Sequence, residues 1–449
     1  MFDFLWSLGA FIIALGILVA VHEWGHFIVA RKCGVKVLRF SIGFGKPLWR
    51  TTDKQGTEYV VALIPLGGYV RMLDSRVDDV DPKDQGVTFN SQSVLKRIAI
   101  IAAGPLTNFI FAVIALYFMY LLGVETVRPV IGNVQPDSIA AQAGLPRDVQ
   151  ISKIGEREVK DWSAINLELV SHIGKDTMQV TTYIESNMSQ RSYSLDLAGW
   201  QFDPETQSAI RSLGIEPFRP AITTNIGLVA KDSPAELAGI NKDDKILSID
   251  GTPIDKWEQI GEYLTGRGGD TVGVMLLREG REVPVMVTVG YREDNPQVGY
   301  LGVVPQSEPW PEGYIFTHQY GLVAALGAAM DNTWRLMTLS VEMIGKLFTG
   351  DVSVKNLSGP ISIAQGAGAS AGYGLVYFLS FLALISVNLG IINLLPLPVL
   401  DGGHLLYYFV ELVTGKPVPE SVQEVGFRIG GVLLFMLMAV AIVNDITRL

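Results

Sequence analysis

The sequence predicts a polytopic α-helical membrane protein with four transmembrane helices, a membrane-associated β-hairpin region and two tandem external α+β domains. Hydrophobic residues make up 49% of the 449 residues and charged residues only 18%, a composition too apolar for an ordinary soluble enzyme. Four stretches reach the roughly 20 mostly apolar residues that a spanning helix needs. A long, more polar segment between the second and third stretches contains an internal repeat, which predicts soluble domains attached to the membrane part.

Charge and cysteine content narrow the possible functions. The 45 acidic residues outnumber the 35 basic residues and give a formal net charge of −10, so we expect no nucleic-acid partner. Cys33 is the only cysteine, which excludes a disulfide framework and a cluster of thiolate metal ligands.

The four predicted transmembrane helices lie near residues 4–30, 98–122, 375–395 and 429–443. The first lacks a basic n-region and an A-x-A cleavage site, so we interpret it as a retained helix rather than a removable signal peptide. Basic residues follow the first helix and precede the second, namely Arg31, Lys32, Lys36, Arg39, Lys96 and Arg97. Because short cytoplasmic segments are enriched in Lys and Arg, we expect these flanks in the cytoplasm and both chain ends outside.

Residues 320–348 form an ambiguous stretch. Its first third is apolar, but charges recur through the rest at helical spacing, namely Asp331, Arg335, Glu342 and Lys346. We predict an amphipathic helix at the membrane interface. The alternative is a fifth transmembrane helix, which would reverse the side on which every later segment lies.

An internal repeat occupies the segment between the second and third transmembrane helices. Residues 131–162 align without a gap onto residues 226–257, at a constant offset of 95 and with a dozen identities. Both copies predict a short strand, a turn, a small helix that ends in Ala-Gly, and a second strand. A repeat of this kind indicates two copies of one structural unit.

The strongest chemical signal is His22-Glu23-Trp24-Gly25-His26, an H-E-x-x-H motif at the end of the first apolar stretch. On a helix, residues four apart share a face, so His22 and His26 can hold one metal ion. Glu23 can take a proton from a metal-bound water. The alternative is that these residues only mark the interfacial end of the helix, but ionisable groups within a span are costly and indicate function.

Asp401 is the better candidate for a third ligand, because the remaining histidines fall in external segments or beyond the third span. It follows Pro396 and Pro398, which break a helix, and precedes Gly402 and Gly403; broken helix at membrane depth is tolerated where it lines a site. The alternative is an N-cap for a following helix. If residues 320–348 stay on one side of the membrane, Asp401 reaches the same level as His22 and His26.

Two further segments have a structural and a functional interpretation. Residues 37–72 alternate apolar and polar with Gly-rich turns and predict strands, which either form a cytoplasmic cap or hold a substrate in extended form. Gly104 and Asn108 open the second span, where Gly104 predicts close packing on the helix that carries the H-E-x-x-H motif, and Asn108 could hydrogen-bond across that contact.

The sequence resembles the site-2 protease family of intramembrane zinc metalloproteases over essentially its whole length. The membrane-embedded H-E-x-x-H and the N-x-x-P-x-P-x-L-D-G segment at 393–402 carry the resemblance, with further matches at residues 40–47 (FSIGFGKP), 64–70 (IPLGGYV) and 357–362 (LSGPIS). The two repeats resemble tandem PDZ domains of the bacterial protease type.

The resemblance implies hydrolysis of peptide bonds within the membrane. His22, His26 and Asp401 would be the ligands of Zn²⁺, Glu23 the general base and Asn393 a substrate-binding residue. Implied substrates are single-span membrane proteins already trimmed outside the membrane, such as an anti-sigma factor of an envelope stress response, and remnant signal peptides. The implied location is a bacterial inner membrane, with the PDZ domains and both termini in the periplasm and the active site near the cytoplasmic side.

The PDZ resemblance implies a groove that accepts an extended peptide by adding it to a sheet edge. Backbone N–H groups near Gly227, Leu228 and Val229 would receive a peptide C-terminus. The alternative is that one or both repeats only shield the membrane part and bind no peptide.

The predicted domain organisation follows the chain: the first transmembrane helix (1–35), the β-hairpin region (36–73), a cytoplasmic loop (74–94), the second transmembrane helix (95–122), the first PDZ domain (123–220), the second PDZ domain (221–307), an amphipathic helix and linker (308–374), the third transmembrane helix with the L-D-G motif (375–405), a cytoplasmic loop (406–427) and the fourth transmembrane helix (428–449).

Two other functions fit parts of the sequence. A PDZ scaffold or membrane chaperone without hydrolysis would need the repeats but not the H-E-x-x-H motif. A metal-ion transporter would use intramembrane ligands, but one ligand trio at one membrane boundary is a poor pathway.

Overall fold

The computed structural model describes residues 2–184, 188–200, 208–291, 299–350, 352 and 357–447. Within these residues the α-helices are α1 (Phe2–Lys32), α2 (Val94–Leu122), α3 (Ile139–Gln142), α4 (Trp162–Ser171), α5 (Ala209–Ser212), α6 (Pro234–Leu237), α7 (Glu258–Leu264), α8 (Leu322–Thr349), α9 (Pro360–Gly372), α10 (Leu375–Leu394), α11 (Asp401–Thr414) and α12 (Glu420–Thr447).

The strands, in chain order, begin with β1 (Val37–Thr52) and β2 (Glu58–Met72), and β3 (Val124–Val127) follows. The first repeat supplies β4 (Ile131–Val134), β5 (Gln150–Ile154), β6 (Arg157–Glu158), β7 (Thr177–Ile184), β8 (Ser189–Asp196) and β9 (Ile215–Pro217). The second repeat and its exit supply β10 (Ile222–Val229), β11 (Lys245–Ile249), β12 (Thr252–Pro253), β13 (Thr271–Arg278), β14 (Arg281–Thr288), β15 (Gly290–Tyr291), β16 (Gly299–Tyr300), β17 (Val303–Ser307) and β18 (Ile315–His318).

Four of the described helices, α1, α2, α10 and α12, are long and apolar enough to cross a membrane, which confirms the predicted fold class. The helix α2 lies at the centre, in contact with α1, α8, α10 and α11. Small residues line its contact with α8 and α10, and Ala112, Ala329 and Ala383 are fully buried there. Small side chains let helix backbones approach closely, which is the usual basis of helix packing in a membrane.

Helix α8 covers most of the ambiguous stretch at 320–348; its 28 residues are long enough to cross a membrane but not apolar enough. One face packs on α2 and α10 through Ala329 and Leu336, while Val323, Met330 and Trp334 on other faces are exposed. An amphipathic helix with a second apolar surface fits a location at the membrane interface, which remains a prediction.

Three elements differ from the predicted boundaries. The third transmembrane helix ends at Leu394, one residue before its predicted end, because Pro396 and Pro398 cannot continue it; the L-D-G motif of the predicted segment 375–405 therefore lies beyond this helix. The helix α11 then occupies the first part of the predicted loop 406–427. The predicted linker 308–374 contains α9, whose Gly- and Ala-rich sequence has no apolar periodicity from which a helix could be predicted.

The β-hairpin region forms as two long antiparallel strands, β1 and β2, that both bend. Residues 37–42 pair with 68–72 on one side and with 58–61 on the other, while 47–52 pair with 58–62. Gly43 and Gly45 have φ of 91° and 86°, the left-handed region that favours glycine, and they turn β1 away from its first half. Pairing on both sides makes the region a small curved sheet against α1.

The two PDZ domains share one order of elements. The sequence β4–α3–β5–α4–β7–β8–β9 of the first corresponds to β10–α6–β11–α7–β13–β14–β17 of the second. Asp137 and Asp232 are equivalent in the repeat and have φ of 60° and 58°, and the equivalent Asp148 and Asp243 have φ of 59° and 71°. Asp tolerates this left-handed conformation better than most residues, which explains why it recurs at both turns.

A two-stranded stalk joins the PDZ domains to the membrane helices. The strand β3 directly follows α2 and pairs antiparallel with β18, which precedes α8. The first residues of the segment predicted as PDZ, 124–127, therefore belong to this stalk. Each PDZ domain has its own apolar core.

Candidate metal centre

The metal-binding motif lies in the second half of α1, where His22 and His26 project from one helix face. Both histidines are buried, whereas Glu23 is partly exposed. The i, i+4 spacing of the helix places the two imidazole rings side by side, with ring centres 4.8 Å apart.

Asp401 completes a triangle of donor atoms. Nε2 of His22 and Nε2 of His26 lie 3.2 and 3.3 Å from Oδ2 of Asp401, and the two Nε2 atoms are 3.2 Å apart. Donors about 2.0–2.1 Å from a tetrahedral zinc ion are about 3.3 Å from one another, so this triangle has the right size. Among the described residues, Oδ2 of Asp401 is buried without a hydrogen-bond partner, as expected of an atom reserved for a metal.

The broken segment 395–400 places Asp401. It follows α10 and precedes α11, and Asp401 is the first residue of α11, with Leu400 at the N-cap. The side chain of Asp401 points to the histidines and makes no capping hydrogen bond, so the alternative N-cap role is not what the structure has. A Cβ on Gly402 would lie 2.2 Å from the carbonyl oxygen of Leu395, and one on Gly403 would lie 2.4 Å from that of Leu397; these two close approaches require glycine.

The second ring nitrogens of both histidines contact α2. Nδ1 of His26 donates to the carbonyl of Ile100 at 2.9 Å, and Nδ1 of His22 lies 3.1 Å from the amide nitrogen of Asn108. A metal on Nε2 leaves the proton of His22 on Nδ1, so Asn108 must present its amide oxygen there. That oxygen otherwise has no partner among the described residues. Contacts of this kind fix the tautomer and the orientation of metal-binding rings.

Glycines bring α1 and α2 together at the site. A Cβ on Gly104 would lie 2.3 Å from Nε2 of His26, and one on Gly25 would lie 2.3 Å from Oγ1 of Thr107. The close packing predicted for Gly104 is therefore present, together with the contact of Asn108 across the helix pair.

Glu23 lies beside the curved β-sheet. A Cβ on Gly68 of β2 would lie 2.9 Å from Cγ of Glu23 and 2.6 Å from the carbonyl oxygen of Ser41. The absence of a side chain at Gly68 thus allows β2 to pass close to the side chain of Glu23. Glu23, the donor triangle and an extended strand therefore come together at this point.

Asn393 and the PDZ residues are not among the three donors of the triangle. Asn393 is in the last turn of α10 and is partly exposed. Gly227, Leu228 and Val229 lie on β10, which is an inner strand between β11 and β17. The N–H groups expected to be free lie on a strand that is not at the edge: residues 303–305 of β17 pair with 226–229, and the two edges of the sheet are β17 and β14.

Sequence reasoning missed this edge because the repeat changes its spacing. Leu213-Gly214 of the first domain matches Leu301-Gly302 of the second at an offset of 88 rather than 95. Gly214 and Gly302 have φ of 83° and 80°, and the carbonyls of Leu213 and Leu301 each accept a hydrogen bond, at 2.9 Å, from the small helix of their own domain. A search for the repeat at more than one offset would have found these residues.

Asn108 is the other residue left out of the predicted site. Ile100, Gly104 and Asn108 are four residues apart and share one face of α2. That spacing was a signal that the face which packs on the histidines also supplies their hydrogen bonds.

Four spanning helices, a buried His₂Asp donor set and an adjacent glutamate define the class: a membrane-embedded metalloenzyme that carries PDZ domains. The family model and the sequence relatives agree with this class. The model of peptidase family M50 matches residues 10–437. The chain is 50% identical over 454 residues to protease RseP of Yersinia pestis and 48% identical over 450 residues to the regulator of sigma-E protease RseP of Escherichia coli (strain K12), with 100% of each chain covered. Among solved structures, the PDZ domain of an SdrC-like protein from Listeria monocytogenes matches 20% of this chain and 92% of its own, at 16% identity and a TM-score of 0.17.

The chain belongs to peptidase family M50. It is a multi-pass membrane protein and a zinc metalloprotease of the site-2 type, and His22, His26 and Asp401 form its candidate zinc site. Its substrates are membrane proteins.

Proposed function

We propose that this protein cleaves peptide bonds within the transmembrane segments of single-span proteins, with Glu23 as the general base and His22, His26 and Asp401 as the zinc ligands. The observation that carries this proposal is the donor triangle of 3.2–3.3 Å beside Glu23. When bound there, zinc supplies a Lewis acid that polarises the scissile carbonyl and acidifies a water molecule.

The remaining catalytic roles are proton transfer, orientation of the metal ligands and contact with the substrate, and each is assigned to side chains or backbone groups near the site. Glu23 takes the proton from the attacking water and returns it to the nitrogen of the leaving amine. Asn108 and the carbonyl of Ile100 hold the two imidazole rings in orientation. Asn393 contacts the substrate backbone as the substrate passes the end of α10.

The curved sheet of β1 and β2 holds the substrate in extended form. A helix protects its own peptide bonds, so the substrate must unwind before attack. An exposed strand edge can pair with the unwound segment, and Gly68 brings β2 within contact of Glu23.

The protein lies in a bacterial inner membrane with the metal site near the cytoplasmic side. Basic residues that flank α1 and α2 on one side, among them Arg31, Lys32 and Arg97, support this orientation through the positive-inside rule. The stalk, the PDZ domains and both chain ends are then periplasmic.

The substrates are an anti-sigma factor of the sigma-E envelope stress response and remnant signal peptides, each after prior trimming outside the membrane. The name of the Escherichia coli relative, a regulator of sigma-E protease, supports the first of these. The PDZ pair acts as a size filter that excludes intact external domains, and β17, rather than β10, supplies the sheet edge that receives a peptide C-terminus.

The variant Glu23→Gln tests the proposed reaction. We expect it to bind zinc as the wild type does but to lose cleavage of a pre-trimmed single-span substrate in reconstituted vesicles, because the amide cannot accept the proton. His22→Ala and Asp401→Ala should lose zinc as well as cleavage. Cleavage that survives in Glu23→Gln would contradict its role as the general base, and full zinc occupancy in Asp401→Ala would contradict its role as a ligand. Normal zinc binding without cleavage in the wild type would favour a PDZ scaffold.

A further inference from the structure

Arg97 and Glu411 form an ion pair between α2 and α11 that lies outside the donor triangle. Nη1 and Nη2 of Arg97 donate to Oε2 and Oε1 of Glu411 at 3.1 and 2.8 Å, and the two side chains are only 13% and 14% exposed. Two parallel hydrogen bonds between a planar guanidinium and a carboxylate fix direction as well as distance.

The guanidinium of Arg97 is itself held in place. Its Nε donates to the carbonyl of Gln92 at 3.1 Å, and its central carbon lies 4.9 Å from the centre of the Tyr408 ring on α11. The ring of Phe89 packs against the ring of Tyr408, with ring centres 6.2 Å apart. Arg97 therefore connects the start of α2 to two residues of α11, Tyr408 and Glu411.

Apolar contacts also join α11 to α2: Tyr408 belongs to the same buried cluster as Ile100, with Ile98 and Ile101 packed against it. An open apolar groove of about 400 Å³ lies on the surface where the two helices meet, lined by Ile98 and Ala102 of α2 and by Leu405 and Phe409 of α11. Apolar contacts are not directional, whereas the two parallel hydrogen bonds of the ion pair fix the orientation of α11 as well as its distance.

The helix α2 also orients the other two metal ligands, His22 and His26. His22 and His26 are oriented by Asn108 and by the carbonyl of Ile100, both on α2, whereas Asp401 is on α11. The three donors keep their mutual distances only if α11 keeps its position relative to α2.

We propose that Arg97 and Glu411 are positioning residues for the zinc site, which hold α11 against α2 so that Asp401 stays at the third corner of the donor triangle. The pair acts through the orientation of α11 and contacts neither metal nor substrate. The proposal rests on the metal site and not on the identity of the substrate.

Zinc affinity of the purified full-length protein, measured by competition with a chelator, tests the proposal. We expect Arg97→Ala and Glu411→Ala each to lower the affinity about tenfold, the size of effect known for residues that orient metal ligands. Since the two residues act as a pair, the double variant should lose no more than either single variant. Arg428→Ala is the matched control, because it removes an arginine whose ion pair with Glu424 on α12 is exposed, and its affinity should equal that of the wild type.

The visible spectrum of the Co²⁺-loaded protein separates positioning from a general loss of folding. A displaced Asp401 changes the ligand set of every bound cobalt ion, so the spectra of Arg97→Ala and Glu411→Ala should change in shape. A partly unfolded population would lower the intensity and keep the shape. Unchanged zinc affinity in both single variants, additive losses in the double variant, or an unchanged spectral shape would each overturn the proposal.

Discussion

The absence of a side chain at Gly104 decides whether the zinc site can form. Nε2 of His26 and Cε1 of His22 would lie 2.3 and 2.9 Å from a Cβ at this position, closer than real Cβ contacts. The metal-binding atom of His26 therefore occupies the space that any other residue at 104 would fill.

The variant Gly104→Ala tests this fit. We expect it to lose zinc binding and proteolysis together, because His26 must move away from Asp401 to avoid the added methyl group. Gly16→Ala on α1 is the control, since nothing lies within 4 Å of a Cβ there, and it should keep both properties. Zinc content and cleavage in the two variants give the answer, and normal zinc occupancy in Gly104→Ala would refute the argument.

At the scale of residues, the sequence alone identified the donors but not what orients them. The H-E-x-x-H spacing predicted His22, Glu23 and His26 because helical geometry is local. The role of Asn108 depends on how α2 is rotated about its axis against α1, which no local pattern determines.

Among the elements, the β1–β2 turn is anchored to the end of α1 by one carboxylate. Asp53 accepts hydrogen bonds from Arg31 and from the backbone of Gln55 and Thr57. The Arg31 guanidinium, aided by these backbone donors and despite some burial, lowers the pKa of Asp53 to about 2.

The anchor should fail at low pH. The folded pKa of Asp53, about 2, lies below the ordinary value of 3.8, so its stabilisation is complete above about pH 4 and is lost as the pH falls through 2. We expect the amides of Gln55 and Thr57 to exchange faster, relative to the other amides of the sheet, as the pH falls from 4 to 2. Asp53→Asn should show the faster relative exchange already at neutral pH, and a pH-independent pattern in the wild type would disprove this anchoring.

The two PDZ domains diverge at the helix that docks on α8. Glu168 of α4 pairs with Arg335 of α8 at 2.8 Å, with both side chains about 90% buried, and Leu167 packs into the cluster of α2, α8 and α10. At the offset of 95, Glu168 corresponds to Tyr263 of the second domain and Leu167 corresponds to Glu262. The repeat therefore differs at both positions. The structure thus docks the first PDZ domain on the membrane part through residues in which the repeat differs.

Breaking this contact should loosen the first PDZ domain. Arg335→Ala leaves Glu168 buried, with the cation of Arg157 at 3.8 Å and the hydroxyl of Ser171 at 3.4 Å, and we expect a loss of up to about 3 kcal/mol of stability. Amide exchange should increase in α4 and α8, and thermal unfolding should shift to lower temperature. The double variant Arg335→Met with Glu168→Leu should recover most of the lost stability. The control is Arg267→Ala, which removes a half-exposed ion pair with Asp250 and should have little effect. Unchanged amide exchange in Arg335→Ala would contradict the docking role.

For the whole molecule, the stalk makes the PDZ pair separable from the membrane part. The amide of Arg128 donates to the carbonyl of Tyr314 at 2.8 Å, so the ends of β3 and β18 are adjacent. A two-residue Asn-Gly turn can join such antiparallel strands, so residues 129–313 can be replaced while the stalk still connects α2 to α8. The replacement also removes the contacts of Leu167 and Glu168 with the membrane part.

This replacement tests the proposed size filter. Combined with Arg335→Ser, which removes the cation left without its partner, it should allow cleavage of substrates that keep their external domains. Cleavage of a trimmed substrate should continue at a comparable rate and serves as the control for folding. If the trimmed substrate is cleaved and the intact one is still refused, the PDZ pair is not the filter.

The sequence by itself determined the features that local pattern encodes: four spans from runs of apolar residues, a metal-binding helix face from the i, i+4 spacing, two related domains from a gapless repeat. The tertiary structure decided the features that depend on contacts between distant segments. It places Oδ2 of Asp401 at 3.3 Å from Nε2 of His26, 375 positions earlier in the chain. It also puts β17 rather than β10 at an edge of the sheet and forms α11 across the start of the predicted loop at 406. These outcomes depend on how helices and strands pack once formed, and packing between segments far apart in the chain leaves no periodic signal in the sequence.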